Sequence, residues 1–186
     1  MSFNVTALPG ATFGGLVTAP MNATDIVSAA EAGPGALPSF LDQFGGFLLI
    51  KGMDGLEDEP ELLLRLSQIF GTEVESYHET RMAQQNVHPE IPEILMVSNI
   101  PPADRKPPPQ PDPPRNADGS LPTQFPHRRG WHTDQSYRRP PPDISLFFSV
   151  VAAPKGQAQT LYANGIAAYE GLSSEMKTRV NSLVGI

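Results

Sequence analysis

No cysteine occurs among the 186 residues. That excludes disulfide scaffolds, thiolate metal sites and cysteine nucleophiles. Basic residues are scarce: 13 Lys plus Arg stand against 20 Asp plus Glu, a formal net charge of −7. A chain of that sign lacks the basic surface needed to neutralise phosphates, so no nucleic-acid partner is expected. No apolar run approaches the roughly 18 residues that span a bilayer, so no membrane partner is expected either. Met1–Gly10 has neither a basic n-region nor an apolar h-region, and a cytoplasmic location is the expectation. Internal repeats are missing as well. The length suits one domain with a real core and is short for two.

Proline, by contrast, is abundant: 21 residues, about twice the usual share of roughly 5%. Residues 101–115 hold eight of them. Such a stretch lacks the N–H donors for a helix or the middle of a sheet. It reads as an extended surface loop over 101–126, either a lid over a site or a ligand for a proline-binding domain, with the lid favoured.

Elsewhere the pattern alternates between helix and strand signals. Leu37, Phe40, Leu41 and Phe44 lie at i, i+3, i+4, i+7, one face of a short helix closed by Gly45-Gly46. Thr12–Val17 reads as a short strand and Phe47–Ile50 as a buried one. Leu62 to Phe70 reads as a helix entered at Pro60 and left at Gly71. The acids Asp54, Glu57, Asp58, Glu59 and Glu61 before it complement its N-terminal dipole better than they form a cation cage. Ile94–Asn99, Ile144–Ala152 and Gln159–Tyr162 read as strands. Helices are expected over 165–170 and after Ser173, an N-cap.

Chemistry concentrates at Trp131-His132-Thr133-Asp134. In an extended segment residues i and i+2 share a face, about 6.6–7 Å apart. His132 and Asp134 can then converge on one ion, a neutral imidazole and a carboxylate suited to a borderline divalent metal. The His-x-Asp tripeptide alone is weak, with about 0.2 copies expected by chance in this composition. A histidine held by a neighbouring carboxylate in a loop is the plainer alternative. Arg128, Arg129, Arg138 and Arg139 bracket the motif; they draw in anionic substrates or simply pair with surface acids. His78 and His88 read as surface or loop histidines.

The flanks carry more. Trp131 to Leu172 resembles the taurine dioxygenase-like family, which includes chlorophenoxyacetate dioxygenases. The resemblance lies in Trp131-His132-Thr133-Asp134, Pro140-Pro141-Pro142, the apolar run Ile144–Ala152, Thr160-Leu161, and Gly165-Ile166-Ala167-Ala168-Tyr169-Glu170-Gly171-Leu172. It extends more loosely upstream through Phe47–Gly52 and Ile69-Phe70-Gly71. It implies an α+β chain: a partial double-stranded β-helix (jelly-roll) core with flanking helices, lacking the C-terminal strands. It also implies Fe(II) as cofactor with 2-oxoglutarate and O₂ as cosubstrates, and hydroxylation of a small organic substrate. His132 and Asp134 are then the catalytic iron ligands. Thr160 hydrogen-bonds a 2-oxoglutarate carboxylate, and Asn99 lines the substrate side, unless it merely caps a strand end. Tyr77 and His78 fall in a similar region.

Two departures follow. The turn usually written G-G-[DE]-T stands here as Gly156-Gln157-Ala158-Gln159-Thr160. Residues 135–186 contain no histidine, and Arg138, Arg139 and Arg179 match no 2-oxoglutarate-binding motif. The expectation is a single incomplete dioxygenase domain over 1–186, inactive alone, whose unfinished edges favour homo-oligomers. A non-catalytic binding or assembly protein keeping part of the fold is the alternative. A zinc hydrolase is disfavoured, since three protein ligands at the usual spacings are missing.

Overall fold

A computed structural model describes residues 3–18, 22–77, 86–97, 115–119, 131–136, 138–154 and 160–183. The chain divides into two units, one formed by Met1–Val74 with Phe147–Ile186 and the other by Glu75–Leu146.

The first unit carries a three-stranded sheet. Strands β1 (Asn4–Ala7), β2 (Gly15–Thr18) and β3 (Leu48–Ile50) lie in the order β1-β2-β3. β1 pairs antiparallel with β2 in the register Val5↔Val17, and β2 pairs parallel with β3 in the register Leu16↔Leu49. A parallel pair needs a crossover, here helices α1 (Ala23–Ala32) and α2 (Ala36–Gln43). Asn22 caps α1 by accepting from the Asp25 N–H at 2.9 Å, which satisfies one of the donors a helix start leaves open. Ala23, Ile26, Val27 and Ala30 form the buried face, an i, i+3, i+4, i+7 stripe. At the far end the Gly33 N–H reaches the Ala29 carbonyl at 3.2 Å. Helix α3 (Glu61–Gln68) buries Leu62 and Leu66 and packs against α1. Arg65 donates through Nε and Nη2 to both carboxylate oxygens of Glu31 at 2.8 and 2.7 Å. With Val17, Leu37 and Leu56, these side chains make the core.

Gly15 explains how closely α2 approaches the sheet. A Cβ there would sit 2.8 Å from Leu48 Cδ2 and 3.0 Å from the Phe44 ring, inside van der Waals contact.

Helices α4 (Gly165–Glu170) and α5 (Ser174–Asn181) begin at side-chain caps. Asn164 accepts from the Ala167 N–H at 3.0 Å and Ser173 from the Met176 N–H at 3.2 Å. Neither helix fully buries a residue. The Tyr169 hydroxyl donates to Asn181 Oδ1 at 3.1 Å, and Lys177 donates to the Glu170 carbonyl at 2.9 Å.

In the second unit the chain folds back on itself across 86–96. An isolated antiparallel bridge pairs Val87 with Leu95, and the His88 N–H donates to the Ile94 carbonyl at 2.9 Å. Val87 and Ile91 are buried. His88 is half-buried. Its Nδ1 accepts from the Glu90 and Ile91 N–H groups at 3.3 and 3.1 Å, so it caps a turn.

Several expected strands differ. Thr12–Val17 forms its strand at Gly15–Thr18 instead. Leu48–Ile50 is only partly buried, with Leu49 exposed, because it is the last strand of its sheet. Ile94–Val97 contributes one bridge rather than a strand. Ile144–Ala152 and Thr160–Tyr162 pair with no strand among the described residues. Phe147, Val150 and Val151 are accordingly exposed, since β-propensity alone forms no ladder without a partner.

Candidate functional site

Trp131–Thr133 has no regular structure, and Asp134–Ser136 forms a turn. His132 Nε2 and Asp134 Oδ1 nevertheless lie 3.1 Å apart. With the imidazole protonated, that contact is an ion pair. With it neutral, the two atoms are adjacent donors of the kind that share one divalent ion. Metal–nitrogen and metal–oxygen bonds of about 2.0–2.2 Å meeting at a right angle place their donors about 3 Å apart. The donor set therefore fits two neighbouring positions on a metal. Both side chains are open to solvent, at 53% and 71% exposure, so an ion could reach them. Among the described residues no group of three His, Cys, Asp or Glu gathers. Among those residues the pair stands as two donors.

The turn after Asp134 is held from one side. Gln135 adopts φ +53°, a left-handed conformation that costs a non-glycine residue roughly 1–2 kcal/mol. Its backbone carbonyl accepts from the Arg138 N–H at 3.0 Å. Its side-chain Nε2 donates to the Tyr77 hydroxyl at 3.1 Å. Arg138 Nη1 makes an ion pair with Glu75 Oε1. Burial raises the Tyr77 hydroxyl above the ordinary phenol range, and the Glu75 charge pushes it the same way. Among the described residues, Gln135 Oε1 and Arg138 Nε are buried without a hydrogen bond. Arg139 Nη1 donates to the carbonyls of Ser136 and Arg138 at 2.9 and 2.7 Å. Arg138 is therefore paired with a carboxylate, whereas Arg139 rests on backbone carbonyls and stays exposed.

Thr160 belongs to the first unit, in the irregular segment before α4, and is exposed. Two residues on, the Tyr162 ring packs on Phe47 with centroids 4.6 Å apart, which holds this segment beside the start of β3. Asn99, His78, His127, Arg128, Arg129 and the 101–114 part of the proline-rich loop lie outside the described residues, as do 120–130 and the 155–159 turn. Sequence reading did not single out Glu75 or Gln135. Gln135 adjoins the motif, but nothing in the sequence pairs it with Tyr77, 58 positions away.

Comparison with known proteins agrees with the family resemblance. Residues 23–186 match the family described as "Taurine catabolism dioxygenase TauD, TfdA family". An alpha-ketoglutarate-dependent sulfonate dioxygenase of Saccharomyces cerevisiae is 44% identical over 54 residues, 29% of this chain and 13% of that protein. Pentalenolactone F synthase of Streptomyces arenae is 32% identical over 95 residues, 51% of this chain and 27% of that protein. The matched stretches thus span less than a third of these relatives' length. No solved structure matches the chain.

Proposed function

Because the chain belongs to the taurine catabolism dioxygenase TauD, TfdA family, we propose that it supplies two iron ligands of an Fe(II)- and 2-oxoglutarate-dependent dioxygenase. The observation that carries this reading is the 3.1 Å approach of His132 Nε2 to Asp134 Oδ1 inside the Trp-His-Thr-Asp motif. The chemistry supplied there is oxidation of a small organic substrate by O₂, coupled to conversion of 2-oxoglutarate into succinate and CO₂. The fold to which the chain contributes is a double-stranded β-helix, and 1–186 acts as one domain of it.

Each residue has a distinct task. His132 presents a neutral imidazole nitrogen and Asp134 a carboxylate oxygen, one uncharged donor and one anionic donor. The Thr160 hydroxyl donates a hydrogen bond to a cosubstrate carboxylate. Asn99 offers an amide to the substrate. The sulfonate dioxygenase and the pentalenolactone F synthase are named for dissimilar products and substrates, so the substrate class is kept at small organic molecules. The chain works in the cytoplasm.

Residues 135–186 contain no histidine. The chain alone is therefore expected to release little succinate from 2-oxoglutarate with Fe(II) and ascorbate. Mn(II) binding followed by electron paramagnetic resonance tests the iron-ligand reading. The full chain should bind Mn(II), and His132→Ala should lose it; equal binding by both would refute the assignment.

A further inference from the structure

His132 and Asp134 lie on or beside a turn that is tied at two points to one short segment. Gln135, next to Asp134, reaches the Tyr77 hydroxyl at 3.1 Å. Arg138, which closes the turn through its N–H to the Gln135 carbonyl at 3.0 Å, pairs with Glu75. The Arg138 and Glu75 side chains are 33% and 24% exposed, far more enclosed than the two donors they flank. Tyr77 is itself anchored: its N–H donates to the Pro92 carbonyl at 2.7 Å, within the folded-back segment that buries Val87 and Ile91. All of these residues lie in one unit.

We propose that Glu75, Tyr77, Gln135 and Arg138 form a two-point clamp that holds the His132–Asp134 turn ready for metal. The four are positioning residues, and the proposal rests on the reading of His132 and Asp134 as ligands. Two donors on a loose loop must be ordered when the ion binds, whereas a loop already held loses less freedom. The left-handed Gln135 fits this role, since an unfavourable backbone angle persists only where surrounding contacts dictate it. Partners that orient metal ligands typically carry 10–100-fold of metal affinity.

The test uses the full chain with three substitutions: Tyr77→Phe, which removes only the hydroxyl, Arg138→Gln, which removes the charge, and Arg138→Lys, which keeps it. Amide hydrogen exchange without metal reports order in the turn, and Co(II) titration by visible absorbance reports the donors. Tyr77→Phe and Arg138→Gln should exchange faster across 131–138 with α1 and α3 unchanged. Their Co(II) dissociation constants should rise about 10-fold, with Arg138→Lys nearer the unsubstituted chain. Unchanged exchange and affinity in both, while His132→Ala still abolishes the Co(II) band, would overturn the clamp and leave the ligand reading standing. A Co(II) band that survives His132→Ala would overturn both. Exchange that rises throughout the chain in all three would also overturn the clamp, because the contacts would then be holding the fold and not the turn.

Discussion

Replacing Asp134 with Asn separates a structural ion pair from a metal-ligand pair. The change keeps the shape of the side chain and removes its charge. In water two unit charges 3.1 Å apart attract by about 1 kcal/mol. The entropy of holding two exposed side chains together offsets part of that, and measured surface pairs fall at about 0.2–1 kcal/mol. For a chain of this size 1 kcal/mol moves the melting temperature by about 2–4 °C. Without metal, Asp134→Asn should therefore melt within about 4 °C of the unsubstituted chain. With metal the expectation reverses. A ligand present at 100 times its dissociation constant stabilises the native state by about 2.7 kcal/mol, or roughly 5–11 °C on the same scale. Differential scanning fluorimetry with and without Mn(II) should show that rise in the unsubstituted chain and none in Asp134→Asn. A metal-free loss well beyond 4 °C would show that the carboxylate works mainly for the fold. An undiminished Mn(II) shift in Asp134→Asn would show that the ion binds elsewhere.

Other expectations concern the scaffold. Ile26→Ala, at a position of 0% exposure between α1 and its neighbours, should lower unfolding free energy by about 2–5 kcal/mol in urea titration. The Arg65 hydrogen bonds, chiefly, and its charge hold the Glu31 carboxyl below its usual range. The stability they contribute should be present above pH 4.5 and fade as pH falls through the lowered value. Glu31→Gln should flatten that part of a pH–stability profile. Tyr77 has the opposite sign. Its raised hydroxyl favours the protonated native state, so stability should be full below pH 10 and decline as pH climbs toward the raised value. Tyr77→Phe should remove that decline in a pH series of melting curves.

Helix boundaries were legible wherever caps and periodicity coincided. Ser173, with Met176 and Val180 following at helical spacing, located α5, and the apolar run between Pro60 and Gly71 located α3. Helix α1 was not legible, although its Ala23, Ile26, Val27 and Ala30 follow the right period. Two of those four positions are alanine, so the apolar stripe contrasts weakly with its surroundings. Strands fared worse for a different reason. A strand is a relation between two segments, and Ile144–Ala152 has the composition without a partner among the described residues. The motif itself was readable because His132 and Asp134 are two residues apart. The residues that brace it were not, because Glu75 and Tyr77 approach Arg138 and Gln135 only through the fold.

The parallel pairing of β2 with β3 imposes an order on folding. β1 and β2 are near neighbours in sequence and can pair as an antiparallel ladder on the microsecond scale typical of hairpins. β3 can add to β2 only after the 29 residues between Thr18 and Leu48 have compacted into α1 and α2, a non-local closure of the kind that slows folding. The loss of Ile26 or Leu37 from that crossover should thus slow refolding, while a change in the β1–β2 connection, such as Ala11→Gly, should leave the late step unchanged. Stopped-flow refolding distinguishes the two, because only the first class of substitution should depress the slower, surface-burying phase.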